Sequence, residues 1–464
     1  MTARGRHRAG HRGGNARPIR VASNKPTYGT DTGPAEFVQP IREISPVAVP
    51  AGPPQAPDAR PPIYESPESG CLHRRGQSLR RDEAATTASG LRTGCAMQDP
   101  TAYHRAAKAK TKTTVTVIVP AYNEEDGIRD TLDALKKQTQ PPDRVIVVDD
   151  CSTDNMPAVL KFEYDDFADV LRPPANLGSK ARAQNYALQF CTTDLVLPVD
   201  ADTVLAPNYI ELIVKPFKDP NVVIAAGNVQ TKVTRTPTER GRSIEYLVGF
   251  HWERPIQNAA NSPTVCSGCC SAFRRQDLAD FGGFPERTIV EDMDYTWSQQ
   301  IAGRKAVYVA GATAWAADPV TIRYLRKQVW RWASGAAQNI RIHFRELLRH
   351  KPMLAFWVIL RLIDASVLTP LWWLTPFFLI FMFDDSFPHA MLIWLGLDML
   401  TMAPILLYAS ARRRLNPLRV LGNIPFAYLN KTINTWYVWK ALIVELILVP
   451  LGKSEGLVIY EKGR

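Results

Sequence analysis

The sequence has almost no net charge outside its first quarter. Of the formal +11 carried by 464 residues, residues 1–112 supply +9, from 18 Lys and Arg against 9 Asp and Glu. That distribution argues against a globally basic nucleic-acid-binding fold and for a basic tail on a near-neutral body, so no nucleic-acid partner is expected. A secreted disulfide framework is also missing. The seven cysteines, at 71, 95, 151, 191, 266, 269 and 270, are odd in number and lack its spacing, which fits a reducing compartment. Cys266-Ser-Gly-Cys269-Cys270 lacks the second Cys or His pair that closes a tetrahedral zinc site, so its thiols are expected to be small apolar packers. Residues 1–112 also lack an apolar core of signal-peptide length, and nothing in them is expected to direct the following domain out of the cell. The mean hydropathy of −0.17 conceals a polar tail averaged with a very apolar C-terminal part.

The tail is rich in Pro, Gly, Arg and Ala, as in Pro54-Gln-Ala-Pro57 and Arg60-Pro-Pro62. Such a stretch cannot bury enough apolar surface to offset chain entropy, and residues 1–112 are expected to be disordered, either simply solvated or drawn to anionic headgroups. From Thr113 the pattern changes. The β-branched run Val115–Val119 is ended by Pro120, and Ala121-Tyr122-Asn123-Glu124-Glu125 opens a helix with apolar positions at Ile128, Leu132 and Leu135. A second run, Arg144–Val148, ends in Asp149-Asp150-Cys151-Ser152-Thr153-Asp154, and a third, Leu195–Val199, stops at Asp200-Ala201-Asp202. Strand, helix and strand at these lengths predict an α/β fold with a mostly parallel sheet, whose acidic turns share the carboxyl edge where such sheets bind ligands.

Asp200 and Asp202 flank one residue, so on an extended backbone they point to the same side. Two hard oxygen donors suit Mg²⁺ or Mn²⁺, which keeps several waters and completes its shell with substrate phosphate. The expected site is therefore a metal and diphosphate site.

Six motifs then follow in order: Val119-Pro-Ala-Tyr-Asn-Glu124, Val147-Val-Asp-Asp-Cys-Ser-Thr-Asp154, Asn176-Leu-Gly-Ser-Lys-Ala181, Asp200-Ala-Asp202, Glu291-Asp292 and Gln328-Val-Trp-Arg-Trp332. Their order and rough spacing resemble family 2 glycosyltransferases. Gln-x-x-Arg-Trp is similar to the membrane-embedded branch that includes hyaluronan, chitin, cellulose and poly-N-acetylglucosamine synthases. The resemblance covers Val115 to Trp332 closely and the remainder loosely. It implies a GT-A nucleotide-sugar-binding domain and inverting transfer from a UDP-sugar to a hydroxyl of a glycan, lipid-linked or protein acceptor.

The resemblance also implies roles. Pro120, Ala121, Tyr122, Glu124 and the Asp149-Asp150 turn would hold the nucleoside, with Asp150 the first choice and Asp149 the second to accept from the uracil imide. Lys180 would bring a point charge to the diphosphate, and Gly178 close backbone approach. Ser179 stands where the family usually has Gly or Ala. Asp202 would ligate the metal, while Asp200 and Ala201 bind the nucleotide, Asp200 also assisting the ion. Asp292 is the candidate base that takes the acceptor proton, with Val290 standing where the family has Thr. Glu291, Trp332 and the small-residue pair Gly268 and Cys269 would meet the acceptor. Gln328, Arg331 and Trp332 share one face of a helical run from Ile322 to Phe344, Gln328 and Arg331 serving the nucleotide-sugar and Trp332 a sugar face, with Trp330 directed into packing. No second carboxylate is positioned by motif for a covalent intermediate.

A basic stretch, Arg345 to Lys351, precedes an apolar run from Met353 to Phe383, long enough to span a bilayer. Arg361 and Asp364 interrupt it and are expected to pair, to line a polar path, or to sit near the interface. After the acidic connector Asp384-Asp385-Ser386 comes a second span, Met391 to Ala409, and then Arg412-Arg413-Arg414. This charge pattern predicts a multi-pass protein of the cell membrane with its catalytic domain cytosolic. Trp436 to Leu451, with Lys440 and Glu445, reads as an interfacial helix or a third span. The expected division is a tail (1–112), a catalytic domain (113–345) and interfacial and transmembrane helices (346–464). Elongation of a β-linked polysaccharide is the leading function. The alternatives are transfer of a single sugar to a lipid carrier or protein, and a non-catalytic membrane adaptor whose basic tail binds lipid or nucleic acid.

Overall fold

A computed structural model describes residues 112–383 and 386–455. The expected disordered tail lies outside the described residues apart from Lys112, as does Asp384-Asp385. Eight strands, β1 (Val115–Ala121), β2 (Arg144–Asp149), β3 (Asp169–Leu171), β4 (Leu195–Pro198), β5 (Thr203–Leu205), β6 (Val222–Thr231), β7 (Ala272–Arg274) and β8 (Lys305–Ala316), form one sheet. Its order is β3-β2-β1-β4-β7-β6-β8-β5. Four of the seven pairings are parallel and three antiparallel, so the sheet is mixed, with its parallel block at β3-β2-β1-β4.

β1 is covered on both faces, as a continuous β-branched run requires. Val115, Val117 and Val119 pack with Ile128, Leu132 and Leu135 of helix α1 (Glu125–Lys136), while Ile118 packs with Ala183 and Ala187 of α2 (Lys180–Leu188). Pro120 does not end the strand as expected. β4 pairs with β1 only as far as Ile118, so the missing N–H at Pro120 falls where that side of β1 no longer needs a donor, while Pro120 stays in register with Val148 of β2. Ser179 caps α2, its side chain accepting the Arg182 N–H at 3.2 Å, which accounts for a serine at that position.

Further along the chain come α3 (Pro237–Val248), α4 (Glu291–Ile301) and α5 (Ile322–His350). The expected boundary at 345/346 falls inside α5, which runs unbroken to His350. Helices α6 (Pro352–Ile363) and α7 (Thr369–Phe383) are joined by a π-helical turn beginning at Asp364 into a rod, Pro352–Met382, and α8 (Phe387–Arg413) follows. Among the described residues these two are long and apolar enough to cross a membrane. Arg361 does not pair with Asp364; its guanidinium meets Glu253, which the sheet-bearing body brings to the rod. Helix α9 (Ile424–Ile443) continues through a π-helical stretch, Val444–Leu448, and packs against α3 and α5, where buried Glu445 accepts from Gln338 Nε2 at 3.0 Å. The third apolar stretch therefore braces α5.

Gly335 of α5 is where the long helix meets the loop before α4. A Cβ there would lie 2.5 Å from Val290 Cγ2, so Val290 fills the space against which the helix rests. Gly335→Val is expected to cost about 1–3 kcal/mol by overpacking. The check is a lowered melting temperature of detergent-solubilised protein, partly restored by adding Val290→Ala; an unchanged melting temperature would show this contact to be slack.

Candidate active site

The ends of β1 and β2 are stapled together by short polar side chains. Asn123 and Cys151 both adopt left-handed backbone, at φ 54° and 63°. The Asn123 N–H donates to Ser152 Oγ at 3.0 Å, and its Oδ1 accepts the Thr153 N–H at 2.8 Å. Both oxygens of buried Asp149 are committed, one to the Ser152 N–H at 2.9 Å and the other to Arg172. Asp150 accepts the Leu177 N–H at 2.7 Å through Oδ1 alone, and burial raises its pKa. Of the two candidates for a base-reading acceptor, Asp150 is thus the one that keeps an oxygen for a ligand. Close by in sequence, Ala121 and Glu124 are buried, Pro120 is half-buried, and Tyr122 is 45% exposed.

Asp200 and Asp202 do not lie on extended backbone. The Asp200 carbonyl accepts the Thr203 N–H at 2.9 Å, closing a turn, so the two-residue alternation of a strand does not relate their side chains. Asp200 meets Lys180 Nζ at 2.5 Å. Asp202 sits over the start of α1, where a Cβ on Gly127 would come within 3.2 Å of the Asp202 Cβ, and Thr131 Oγ1 donates to the buried Ala201 carbonyl at 2.9 Å.

Lys180 joins this turn to the acceptor-side motifs. Its ammonium donates to the Gly268 carbonyl at 3.1 Å and lies 4.0 Å from Glu291 Oε1. Burial disfavours the ammonium, but Asp200 and Glu291 outweigh it and hold Lys180 above its usual range. Burial in turn raises Glu291, with Lys180 opposing and Asp292 adding to the rise. The next atoms of the same loop hold the candidate base: the Gly268 N–H donates to Asp292 Oδ2 at 2.7 Å, and the Met293 N–H donates to Oδ1 at 2.8 Å. Cys269 completes the bridge, its carbonyl accepting the Asp200 N–H at 3.3 Å. Contact with Cys270, then burial, holds the Cys269 thiol well above its ordinary value, and burial pushes Cys266 up to about 12, which keeps these sulfurs protonated packers.

The α5 face differs in detail from the expected one. Gln328 is buried, and its amide oxygen accepts from Arg242 Nη2 at 3.0 Å, a partner the sequence did not mark. The same guanidinium lies 4.9 Å from the Trp332 ring centre, pairs with Glu245 and stands 3.9 Å from Asp318. Arg331 is close enough to Glu291 to favour its charged form. Trp330 packs on Tyr437 and under Lys440, as expected of a packing residue.

The donor chemistry fits a hard divalent ion in one way only. Among the described residues no group of three or more His, Cys, Asp or Glu converges, so an all-protein cage is not available. Asp202, with Asp200 nearby in the turn, would supply the one or two carboxylates that Mg²⁺ or Mn²⁺ uses when phosphates and waters complete its shell.

Several side chains that shape the candidate site carried no sequence signal. Arg172, Arg242 and Asp318 lie outside every motif. Asp294 offered a weak one, two residues after Asp292; it is fully buried between Arg287, at 2.7 and 2.8 Å, and His343 at 2.8 Å. Burial works to raise Asp294, but these partners hold it below the usual carboxylate range.

The family model described as Glycosyl transferase family 2 matches residues 116–282. Poly-beta-1,6-N-acetyl-D-glucosamine synthase of Staphylococcus aureus (strain MSSA476) is 27% identical over 240 residues, 51% of this chain and 58% of the relative. The synthase of the same name from Staphylococcus epidermidis is 25% identical over 241 residues, 52% of this chain and 58% of the relative. The chain thus spans less than two thirds of the curated relatives it matches. Among solved structures, the mannosyltransferase PcManGT from Pyrobaculum calidifontis in complex with GDP-Man and Mn2+ is 24% identical, covering 76% of this chain and 95% of that one at a TM-score of 0.48. The family resemblance is borne out over the matched segment, and the body has a GT-A-like mixed-sheet fold.

Burial pushes Asp318 up to about 7 from an ordinary 3.8, with Arg242 only partly offsetting it. Folded protein then holds a proton that unfolded chain releases. The stability this contributes is full below about pH 4 and is lost as pH rises toward about 7, at up to roughly 1.4 kcal/mol per pH unit. Asp318→Asn is expected to flatten the melting-temperature profile over that window relative to wild type; parallel profiles would assign the slope to other groups.

Proposed function

We propose that this chain, through its family 2 glycosyltransferase segment, transfers N-acetylglucosamine from UDP-N-acetylglucosamine to a hydroxyl of a growing β-linked glycan, with inversion, at the cytosolic face of the cell membrane. The observation that carries the reading is the placement of Asp292. Two backbone N–H groups orient its carboxylate, and Gly268, which supplies one of them, gives its carbonyl to Lys180. A candidate base is thereby built one residue away from the charge that suits a diphosphate. The named activity of the staphylococcal relatives supports the choice of sugar.

In this reading Asp150 accepts from the uracil imide through its uncommitted oxygen, and Asp149, tied to Arg172, holds the turn in shape. Lys180 and Arg331 receive the diphosphate, and Glu291 sits between them on the acceptor side with Trp332. Asp202 and Asp200 would hold Mg²⁺ or Mn²⁺, which when bound neutralises charge on the departing diphosphate. Asp292 takes the proton of the acceptor hydroxyl as that oxygen attacks the anomeric carbon. The sheet and α5 form the catalytic body, Pro352–Met382 and α8 span the membrane, and the basic residues flanking them face the cytosol.

Detergent-solubilised protein is expected to release UDP from UDP-N-acetylglucosamine in preference to other UDP-sugars, with Mn²⁺ or Mg²⁺ and not with chelator. Asp292→Asn should lower that rate by about 10²–10⁴ while leaving UDP binding intact. A ladder of long products supports elongation, and a single-sugar adduct supports transfer to a lipid carrier or protein. Release that is indifferent to Asp292→Asn would remove the residue from the chemistry, and no release with any donor would favour the adaptor reading.

A further inference from the structure

Helix α5 carries a second cluster of polar and aromatic side chains, on the side away from Trp332. Arg323, Lys327 and Trp330 stand at i, i+4 and i+7 and share one face, whereas Gln328 and Trp332 lie on another, with Arg331 between the two. With Arg326 of the same helix and Tyr437 and Lys440 of α9, they line a cavity of about 240 Å³. Four of these six side chains are cationic and none is acidic. None of the four makes an ion pair with a described residue; Arg326 Nε donates to Tyr437 Oη at 2.9 Å, and Lys440 Nζ lies 4.2 Å from the Trp330 ring centre. Concentrating four positive charges without a carboxylate costs self-repulsion, which an anion relieves.

The surroundings identify the kind of anion. Trp436, Trp439, Ile443, Ile447 and Leu451 form an exposed stripe at three- and four-residue spacing along α9 and its π-helical extension, next to Tyr437 and Lys440. Trp439 Nε1 donates to the Ala365 carbonyl at 3.0 Å, which places this stripe beside the rod Pro352–Met382. Exposed tryptophans and aliphatic residues next to a basic pocket suit the boundary between acyl chains and headgroups.

We propose that the pocket between α5 and α9 binds the phosphate headgroup of an anionic phospholipid of the cytosolic leaflet, at a site separate from the catalytic cluster. The inference rests on the membrane placement proposed above. The planar guanidinium groups of Arg323 and Arg326 pair with phosphate oxygens, Lys327 and Lys440 complete the charge, and the aromatic floor meets the glycerol and upper acyl carbons. An occupied pocket ties α9 to α5, the helix that holds the loop bearing Asp292.

The test uses the full chain in phosphatidylcholine nanodiscs doped with a photoactivatable phosphatidylglycerol, with cross-linked peptides mapped and UDP binding measured in the same discs. Wild type should label within Arg323–Trp330 and Tyr437–Lys440. Arg323→Gln with Lys440→Gln should lower that labelling on the order of twentyfold, roughly fivefold for each cation removed, with UDP binding kept. Arg323→Lys with Lys440→Arg should retain it, which keeps the test sharp if the Gln variant folds poorly. Equal labelling in the Gln variant, or equal labelling by a photoactivatable phosphatidylcholine, overturns the proposal. Binding of inorganic phosphate by wild type in detergent that Arg323→Gln with Lys440→Gln abolishes, with no labelling by the photoactivatable phosphatidylglycerol, assigns the pocket to a soluble phosphate compound and overturns the lipid. A chain that does not enter the discs overturns the membrane placement and this proposal with it.

Discussion

The arrangement depends on one ammonium group. Lys180 lies at the first turn of α2, yet it touches the turn after β4 through Asp200, the loop before β7 through Gly268, and the start of α4 through Glu291. Without it, Asp200 would lose its ion-pair partner, and buried Glu291, beside Asp292, would lose the main charge that offsets its burial. Breaking a buried charge cluster by removing one partner typically costs about 3–5 kcal/mol; here the figure is smaller, because Asp200 remains about a third exposed. The consequence is functional. The cation that suits a diphosphate is also the strut that fixes the loop supplying an N–H to the candidate base, so donor side and acceptor side share one support.

The second constraint is α5. Successive turns of this helix hold successive residues of the segment leading into α4: Gly335 meets Val290, Gln338 accepts the Ile289 N–H at 3.1 Å, Asn339 donates to Thr288 Oγ1 at 3.4 Å, and His343 meets Asp294 at 2.8 Å. Asp292 sits inside that clamp. A general base works only when its oxygen is held within a fraction of an ångström of its place, and a 29-residue helix gripping four points around it is a stiff way to achieve this. Glu445 of the C-terminal segment then fixes Gln338 from the other side.

Much of this was legible in the sequence because the information was local. Alternation between apolar runs and acidic turns is a property of ten or so consecutive residues, and it placed β1, β2, β4 and the three carboxylate turns on one sheet edge. Asp292, Lys180 and Arg331 followed from motifs of similar length. What could not be read is what depends on pairs far apart in the chain. Arg172 is drawn to Asp149, and Arg242 reaches across to Gln328, Trp332 and Asp318, from positions with no periodicity or motif to mark them. The same-side geometry expected of Asp200 and Asp202 was not legible for a different reason. The spacing fits an extended backbone, but a single hydrogen bond from Thr203 to the Asp200 carbonyl turns the segment into a β-turn, and nothing in three residues announces that choice.

The rigidity of α5 gives its several faces a common fate. A helix whose Gly335–His343 segment is bonded to the base-bearing loop, whose Gln328 is bonded to Arg242, and whose Arg326 is bonded to α9 cannot shift at one point alone. A continuous run of hydrogen bonds and close contacts therefore links α9, packed beside the apolar rod, to the loop that bears Asp292. In that geometry the setting of the C-terminal helices bears directly on the position of Asp292. The candidate site sits in the sheet-bearing body, while α9 and its π-helical extension, a segment whose sequence suggested no more than an anchor, brace the helix that holds it.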